Sequence, residues 1–142
     1  MITAVDTNVI LDVLTAGQQF GQASRMALHG CRDDGRLVAC DVVWAEVAAA
    51  FDDVEAVRAT LSKIGLEYSP TPASAAELAG LRWRAYRRSG GPRERLVGDF
   101  LIGAYSEVVA DRLLTRDRGF YRHYFSHVLL LDPSSPGQQV NP

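Results

Sequence analysis

The first fourteen residues, Met1-Ile-Thr-Ala-Val-Asp6-Thr7-Asn8-Val-Ile-Leu-Asp12-Val-Leu14, constrain the fold more than any other stretch. Ile2 to Val5 is a short apolar run with β-branched residues, suited to a strand buried on both faces. It stops on Asp-Thr-Asn. Val9, Ile10, Val13 and Leu14 then return at helical spacing, with Thr7 or Asn8 placed to cap the new helix. A strand that ends on a carboxylate and turns into a helix is the usual place for a site in an open α/β sheet. Taken alone, Asp6 reads as a helix cap, and the rest of the chain has to decide.

Further on, strand and helix patterns alternate. Phe20, Ala23, Ala27, Leu28 and Cys31 mark one face of a second helix ended by Asp33-Asp34-Gly35. Leu37 to Cys40 reads as a strand, with Asp41 as cap of a helix that buries Val43, Trp44, Val47, Ala48 and Phe51 and carries Glu46. Residues 52–64 form the next helix, stopped by Gly65, and Leu66 to Tyr68 a small edge strand. A long helix over 74–89 ends at Gly90-Gly91-Pro92. Residues 99–110 are apolar almost all round, as in a helix packed in the middle of a protein, with Asp99 in the first turn. Arg112 to Thr115 is a short strand, 116–119 a polar turn containing Asp117, 120–125 an aromatic-rich short helix and Val128 to Leu131 a last strand. Such alternation implies an α/β fold with a mostly parallel sheet covered by helices on both faces. One domain over residues 1–131 is expected, followed by a mobile Pro/Gly/Ser/Gln-rich tail over 132–142.

The 142 residues suffice for one substantial core, and no apolar run is long enough to cross a bilayer. The first residues lack a basic head and a long apolar core, so a cytoplasmic location is expected. Cys31 and Cys40 show no metal-binding spacing and read as reduced and buried. A net charge of −2 argues against coating nucleic acid by bulk electrostatics but leaves room for a local grip on phosphates. Fourteen of the fifteen cations are arginine, the residue best suited to two-pronged phosphate pairing, although base composition produces the same bias.

In a parallel sheet the carboxyl ends of the strands share one rim, so Asp6 and Asp117 should lie close together, with Glu46 and Asp99 on helices beside them. Acids gathered there repel one another unless protonated, paired with arginine or bridged by a cation. Mg²⁺ or Mn²⁺ fits best: these ions take oxygen ligands, bind few carboxylates directly and keep waters that further carboxylates can hold. Such a centre suits phosphodiester hydrolysis, since it activates water and stabilises charge on the phosphate.

The order Asp6-Thr-Asn, Glu46 in Asp41-Val-Val-Trp-Ala-Glu46-Val, Asp99-Phe-Leu-Ile-Gly-Ala and Thr115-Arg-Asp117-Arg-Gly-Phe120 resembles the PIN domain, in particular the VapC-type toxins of bacterial toxin–antitoxin pairs. The resemblance spans residues 2 to about 131. It implies a five-stranded parallel sheet, a metal-dependent endoribonuclease, an acidic quartet of Asp6, Glu46, Asp99 and Asp117, and supporting roles for Asn8 and Thr115. It also implies an RNA substrate, a small antitoxin partner and a homodimer. Asp12 is expected to be surface charge, Asp111 to end the buried helix, and Glu107 to be a weaker candidate for the rim.

Six arginines crowd residues 82–95 and read as a solvated helix face or an RNA contact. Arg93, Arg95, Arg116 and Arg118 lie nearest the acids in sequence and are the candidates for holding phosphate. The aromatics Phe120, Tyr121, Tyr124 and Phe125 read as core, and His123 and His127 as surface or packing residues. Two other readings stand beside the nuclease. A receiver-like phosphoacceptor also gathers acids at such a rim but needs a late lysine, and the only lysine is Lys63. A PIN-like module that binds RNA or protein without cutting would carry the same residues.

Overall fold

The computed structural model describes residues 1–15, 19–92, 95–134 and 139–140. Strand β1 (Ile2–Val5) forms the middle of the sheet, and Thr3, Ala4 and Val5 are all buried. Consecutive strand residues point to opposite faces, so burial of all three shows that both faces are covered. The sheet order is β3-β2-β1-β4-β5-β6, with β2 (Arg36–Ala39), β3 (Leu66–Tyr68), β4 (Arg112–Leu114) and β5 (Leu130–Leu131). The first five strands are parallel, as expected. Among the residues expected to form the tail, Gln139–Val140 makes a sixth strand, β6, antiparallel to β5. Asp132 is buried and ion-paired to Arg118, while residues 135–138 and 141–142 lie outside the described residues.

Seven helices connect the strands among the described residues: α1 (Thr7–Leu14), α2 (Gly21–Asp34), α3 (Asp41–Ala48), α4 (Val54–Ile64), α5 (Ala73–Arg88), α6 (Val97–Val109) and α7 (Arg118–Tyr124). None is long and apolar enough to cross a membrane. Gly65 closes α4 in the left-handed conformation (φ 84°), as its position past the last apolar residue suggested. Of the cap candidates for α1, Asp6 rather than Thr7 or Asn8 holds the position, and Cys40, not the expected Asp41, precedes α3. In both cases the helix starts one residue earlier, because the strand hands over to it without a loop.

The core joins the sheet to an aromatic cluster. Phe100 of α6 packs edge-on against Phe120 at 5.2 Å between ring centroids and meets Tyr86 of α5 at 5.3 Å. Gly103 lets α6 approach this cluster, since a Cβ there would fall 2.4 Å from the Phe125 ring. Phe120, Tyr121 and Phe125 are buried, His123 and His127 exposed. Cys31 and Cys40 are free and buried, as the spacing indicated.

From β1 the chain builds outward through β2 to β3, then returns to place β4 on the other side of β1. That reversal opens a crevice at the carboxyl ends of β1 and β4, where side chains can meet without strand backbone between them. Asp6 leaves β1 and Thr115 leaves β4 at this point, and the Asp6 N–H donates to Leu114 O at 3.0 Å.

Candidate functional site

Asp6 is 5% exposed and caps α1 by accepting from the Thr7 N–H at 2.8 Å. Its second oxygen accepts from the Thr115 hydroxyl at 2.7 Å and from Asn8 Nδ2 at 3.3 Å, and the buried Tyr121 hydroxyl also bears on it. The cap reading and the site reading are therefore both correct: one oxygen serves the helix and the other faces the crevice. Thr115 Oγ1 in turn accepts from the Asp117 N–H at 2.9 Å, tying the two acids through one hydroxyl. Asn8 Oδ1 accepts from the Arg116 N–H at 3.2 Å and secures the same turn.

The other two acids come from helices. Glu46 projects from α3 at the mouth of the crevice, exposed to solvent yet within the fields of Asp6 and Asp99. Asp99 sits in the first turn of α6 and accepts from the Leu96 N–H at 3.3 Å. Arg95 reaches across the opening. Its Nη1 lies 2.5 Å from Asp117 Oδ2 and 4.0 Å from Asp99 Oδ1, Nη2 donates to Asp117 Oδ1 at 3.2 Å, and the guanidinium rests 4.4 Å from the Phe120 ring centroid.

Burial pushes the Asp6 carboxyl above the ordinary carboxylate range, against the pull of its Thr115, Thr7 and Tyr121 hydrogen bonds, and the Asp117 charge raises it further. Burial also raises Glu46, followed by the charges of Asp6 and Asp99. Asp99 is raised by burial, opposed by Arg95 and the Leu96 N–H. Tyr121 is held well above 10 by burial, then by the surrounding acids. Four carboxylates thus share one field, with Arg95 the only arginine at the opening among the described residues.

The donors are all hard oxygens, which fits a divalent cation such as Mg²⁺ or Mn²⁺. Thr7 Oγ1 points the same way, for it is buried against Glu46, whose carboxyl it lowers, and has no closer hydrogen-bond partner among the described residues. A buried hydroxyl left in this state ordinarily has a water or an ion's hydration shell to complete it. Among the described residues no three acids, histidines or cysteines form a ready-made cage. The arrangement therefore suits a hydrated ion, held directly by one or two carboxylates and through water by the others.

Of the arginines expected to hold phosphate, only Arg95 touches the four acids in the described residues. Arg116 grips Asp12 with two hydrogen bonds (2.6 and 2.9 Å), Arg118 pairs with Asp132 at 2.7 Å, and Arg93 lies outside the described residues. These pairs already engage part of each guanidinium with a structural acid. Asp12 is not surface charge: it is 7% exposed and also accepts from Ser24 at 2.9 Å, because the α1–α2 packing closes over it. Asp111 accepts from the Ile2 N–H at 2.6 Å, and Glu107 pairs with Arg82. Arg84, Arg87 and Arg88 stay on an exposed face, with Arg87 stacked on Trp83. Lys63 lies on α4 beside Val13, Leu28 and Ile64, in a hollow that no member of the quartet lines.

Sequence reasoning overlooked two residues. Thr7 was read only as a cap, although its place directly after Asp6 puts its hydroxyl at the crevice. Tyr121 was read only as core, although it follows Asp117 by four residues across the start of a short helix, which turns it back toward Asp6.

A family model described as PIN domain matches residues 3–126. Among solved structures, VapBC2 from Rickettsia felis is similar with a TM-score of 0.71 at 15% identity, over 93% of this chain and 98% of that one. VapBC-1 from nontypeable Haemophilus influenzae gives 0.69 at 17% identity, over 95% and 100%. VapC20 of Mycobacterium tuberculosis, described as a sarcin-ricin loop cleaving toxin, gives 0.56 at 15% identity over 99% of each chain. No curated protein matches the sequence.

Proposed function

The chain belongs to the PIN domain family, and from that premise we propose that it is a Mg²⁺-dependent endoribonuclease, the toxin of a VapBC-type toxin–antitoxin pair. It would hydrolyse RNA phosphodiesters to a 5′-phosphate and a 3′-hydroxyl. The observation that carries this reading is the meeting of Asp6 and Asp117 through Thr115 at the β1/β4 crevice, within the fields of Glu46 and Asp99.

Asp6, Glu46, Asp99 and Asp117 would hold Mg²⁺ or Mn²⁺, which when bound supplies Lewis acidity at the phosphate and activates water. Thr115 holds Asp6 and the Asp117 backbone in register, and Asn8 braces Asp6 against the turn at Arg116. Thr7 sets its hydroxyl beside Glu46, where it can hold the carboxylate or a water in place. Tyr121, kept protonated by its surroundings, donates to Asp6 and seals the crevice floor. Arg95, at the opening, is placed to meet a phosphate oxygen. The named neighbours VapBC2 and VapBC-1 support an antitoxin partner, and the family resemblance supports a homodimer.

One alternative has an observation behind it. With Arg95 lying across Asp117 and no ready cage, a PIN domain that binds RNA or a partner without cutting would look the same. Incubating purified protein with total cellular RNA, with and without Mg²⁺, separates the two. Discrete cut ends that need Mg²⁺ and disappear in Asp99→Asn are expected; intact RNA under every condition would leave the binding module standing.

A further inference from the structure

Arg95 covers Asp117 and approaches Asp99, two of the acids that would hold a divalent cation. Its two-pronged contact spans both oxygens of Asp117 at 2.5 and 3.2 Å, and its Nη1 stands 4.0 Å from Asp99. Arg95 takes one lone pair on each Asp117 oxygen and sets a positive charge where a cation bound to that carboxylate would sit, so the two compete for Asp117. The pair is also placed to open. The side chains of Arg95, Asp117 and Asp99 are 32%, 34% and 33% exposed, so water can replace each contact as it breaks. Beneath the guanidinium lies the Phe120 ring, 4.4 Å away, on which a planar cation can rest without a carboxylate. Asp12 offers the contrast: its side chain is 10% exposed against 34% for Asp117, is backed by Ser24 as well as Arg116, and its pair touches none of the four acids.

Resting on the metal-dependent reading above, we infer that Arg95 is a built-in competitor of the catalytic cation. In the metal-free chain it neutralises Asp117 and Asp99 and keeps the acidic crevice from splaying. Ion entry displaces it, and the released guanidinium then stands at the opening with its two-pronged face free for a phosphate. One side chain thus couples loading of the site to assembly of its substrate contact.

The test is Mn²⁺ binding to the full chain, followed by electron paramagnetic resonance, in wild type, Arg95→Gln and Arg118→Gln. The last removes the same charge next to Asp117 in sequence but breaks only the pair with Asp132. Arg95→Gln should bind Mn²⁺ about fivefold more tightly, the scale of one partly exposed ion pair, and Arg118→Gln less than about twofold more tightly. In wild type, Mg²⁺ should shift the Arg95 Nε–H nuclear magnetic resonance signal and leave that of Arg116 in place. Equal affinities in wild type and Arg95→Gln, weaker binding in Arg95→Gln, or an equal gain in both variants would overturn the competition while leaving the nuclease reading intact. Absence of Mn²⁺ binding from all three proteins would overturn both.

Discussion

Helix α1 carries a buried aspartate near each end, and the two live under opposite conditions. Asp6 and Asp12 are almost equally hidden, 5% and 7% exposed. Asp12 has an arginine on both oxygens and a serine hydroxyl besides. Among the described residues Asp6 has only neutral donors: a backbone N–H, an amide and two hydroxyls. Neutral donors stabilise a buried carboxylate but do not cancel its charge, and Asp117 and Glu46 bring further negative charge near it. Asp12, with its own cation, serves the fold, whereas Asp6, supplied with hydroxyls and other acids, is the one the proposed reading assigns to a cation from outside.

Exchanging each aspartate for asparagine should separate these roles. Asp6→Asn is expected to lower RNA cleavage about a thousandfold, roughly 4 kcal/mol of transition-state stabilisation, with the fold unchanged by circular dichroism. Retention of full cleavage would remove Asp6 from the site. Asp12→Asn should do the reverse. It strands Arg116 and is expected to cost about 2 kcal/mol in urea unfolding, less than for a fully buried pair because Arg116 is 29% exposed, while cleavage per folded molecule stays near wild type.

A smaller effect tests the hydroxyl that joins Asp6 to Asp117. Thr115→Val keeps the shape but removes both hydrogen bonds, leaving the Asp117 N–H without its acceptor. It should cost about 1 kcal/mol of stability and lower cleavage about tenfold. Unchanged activity would reduce Thr115 to a packing residue.

The smallest effect is a pH slope. Folding raises the Asp6 carboxyl above its unfolded value of about 3.9, so the unfolded chain ionises first as pH rises. Stability from this source is complete below the unfolded value and is lost as pH climbs through the folded one. Without metal, Asp6→Asn should therefore gain on wild type as pH rises from about 4 toward neutrality, as read from melting temperatures in EDTA. A gap that stays flat or closes would contradict the raised Asp6 value.

Much of this molecule was legible beforehand for a physical reason. Elements such as Ile2–Val5, the Gly65 stop and the almost wholly apolar α6 announce themselves within a few residues, since burial period and backbone freedom are local properties. The acids Asp6 and Asp117 could be placed on one rim because parallel strands share their carboxyl ends, whatever the loops do. The handover from strand to helix misled by one residue at Asp6 and Cys40, where a missing loop left no turn signal.

Residue order and periodicity were enough to establish a parallel α/β sheet with four acids near its carboxyl edge. They could not assign partners. Asp12 meets Arg116 across 104 residues, and Arg95 meets Asp117 across 22. Whether an arginine finds a phosphate, a structural acid or a metal-binding one depends on how α1, α2, α6 and the turn after β4 pack together. Charge interactions fall off with distance and change strength with burial, and both quantities exist only once the chain has folded.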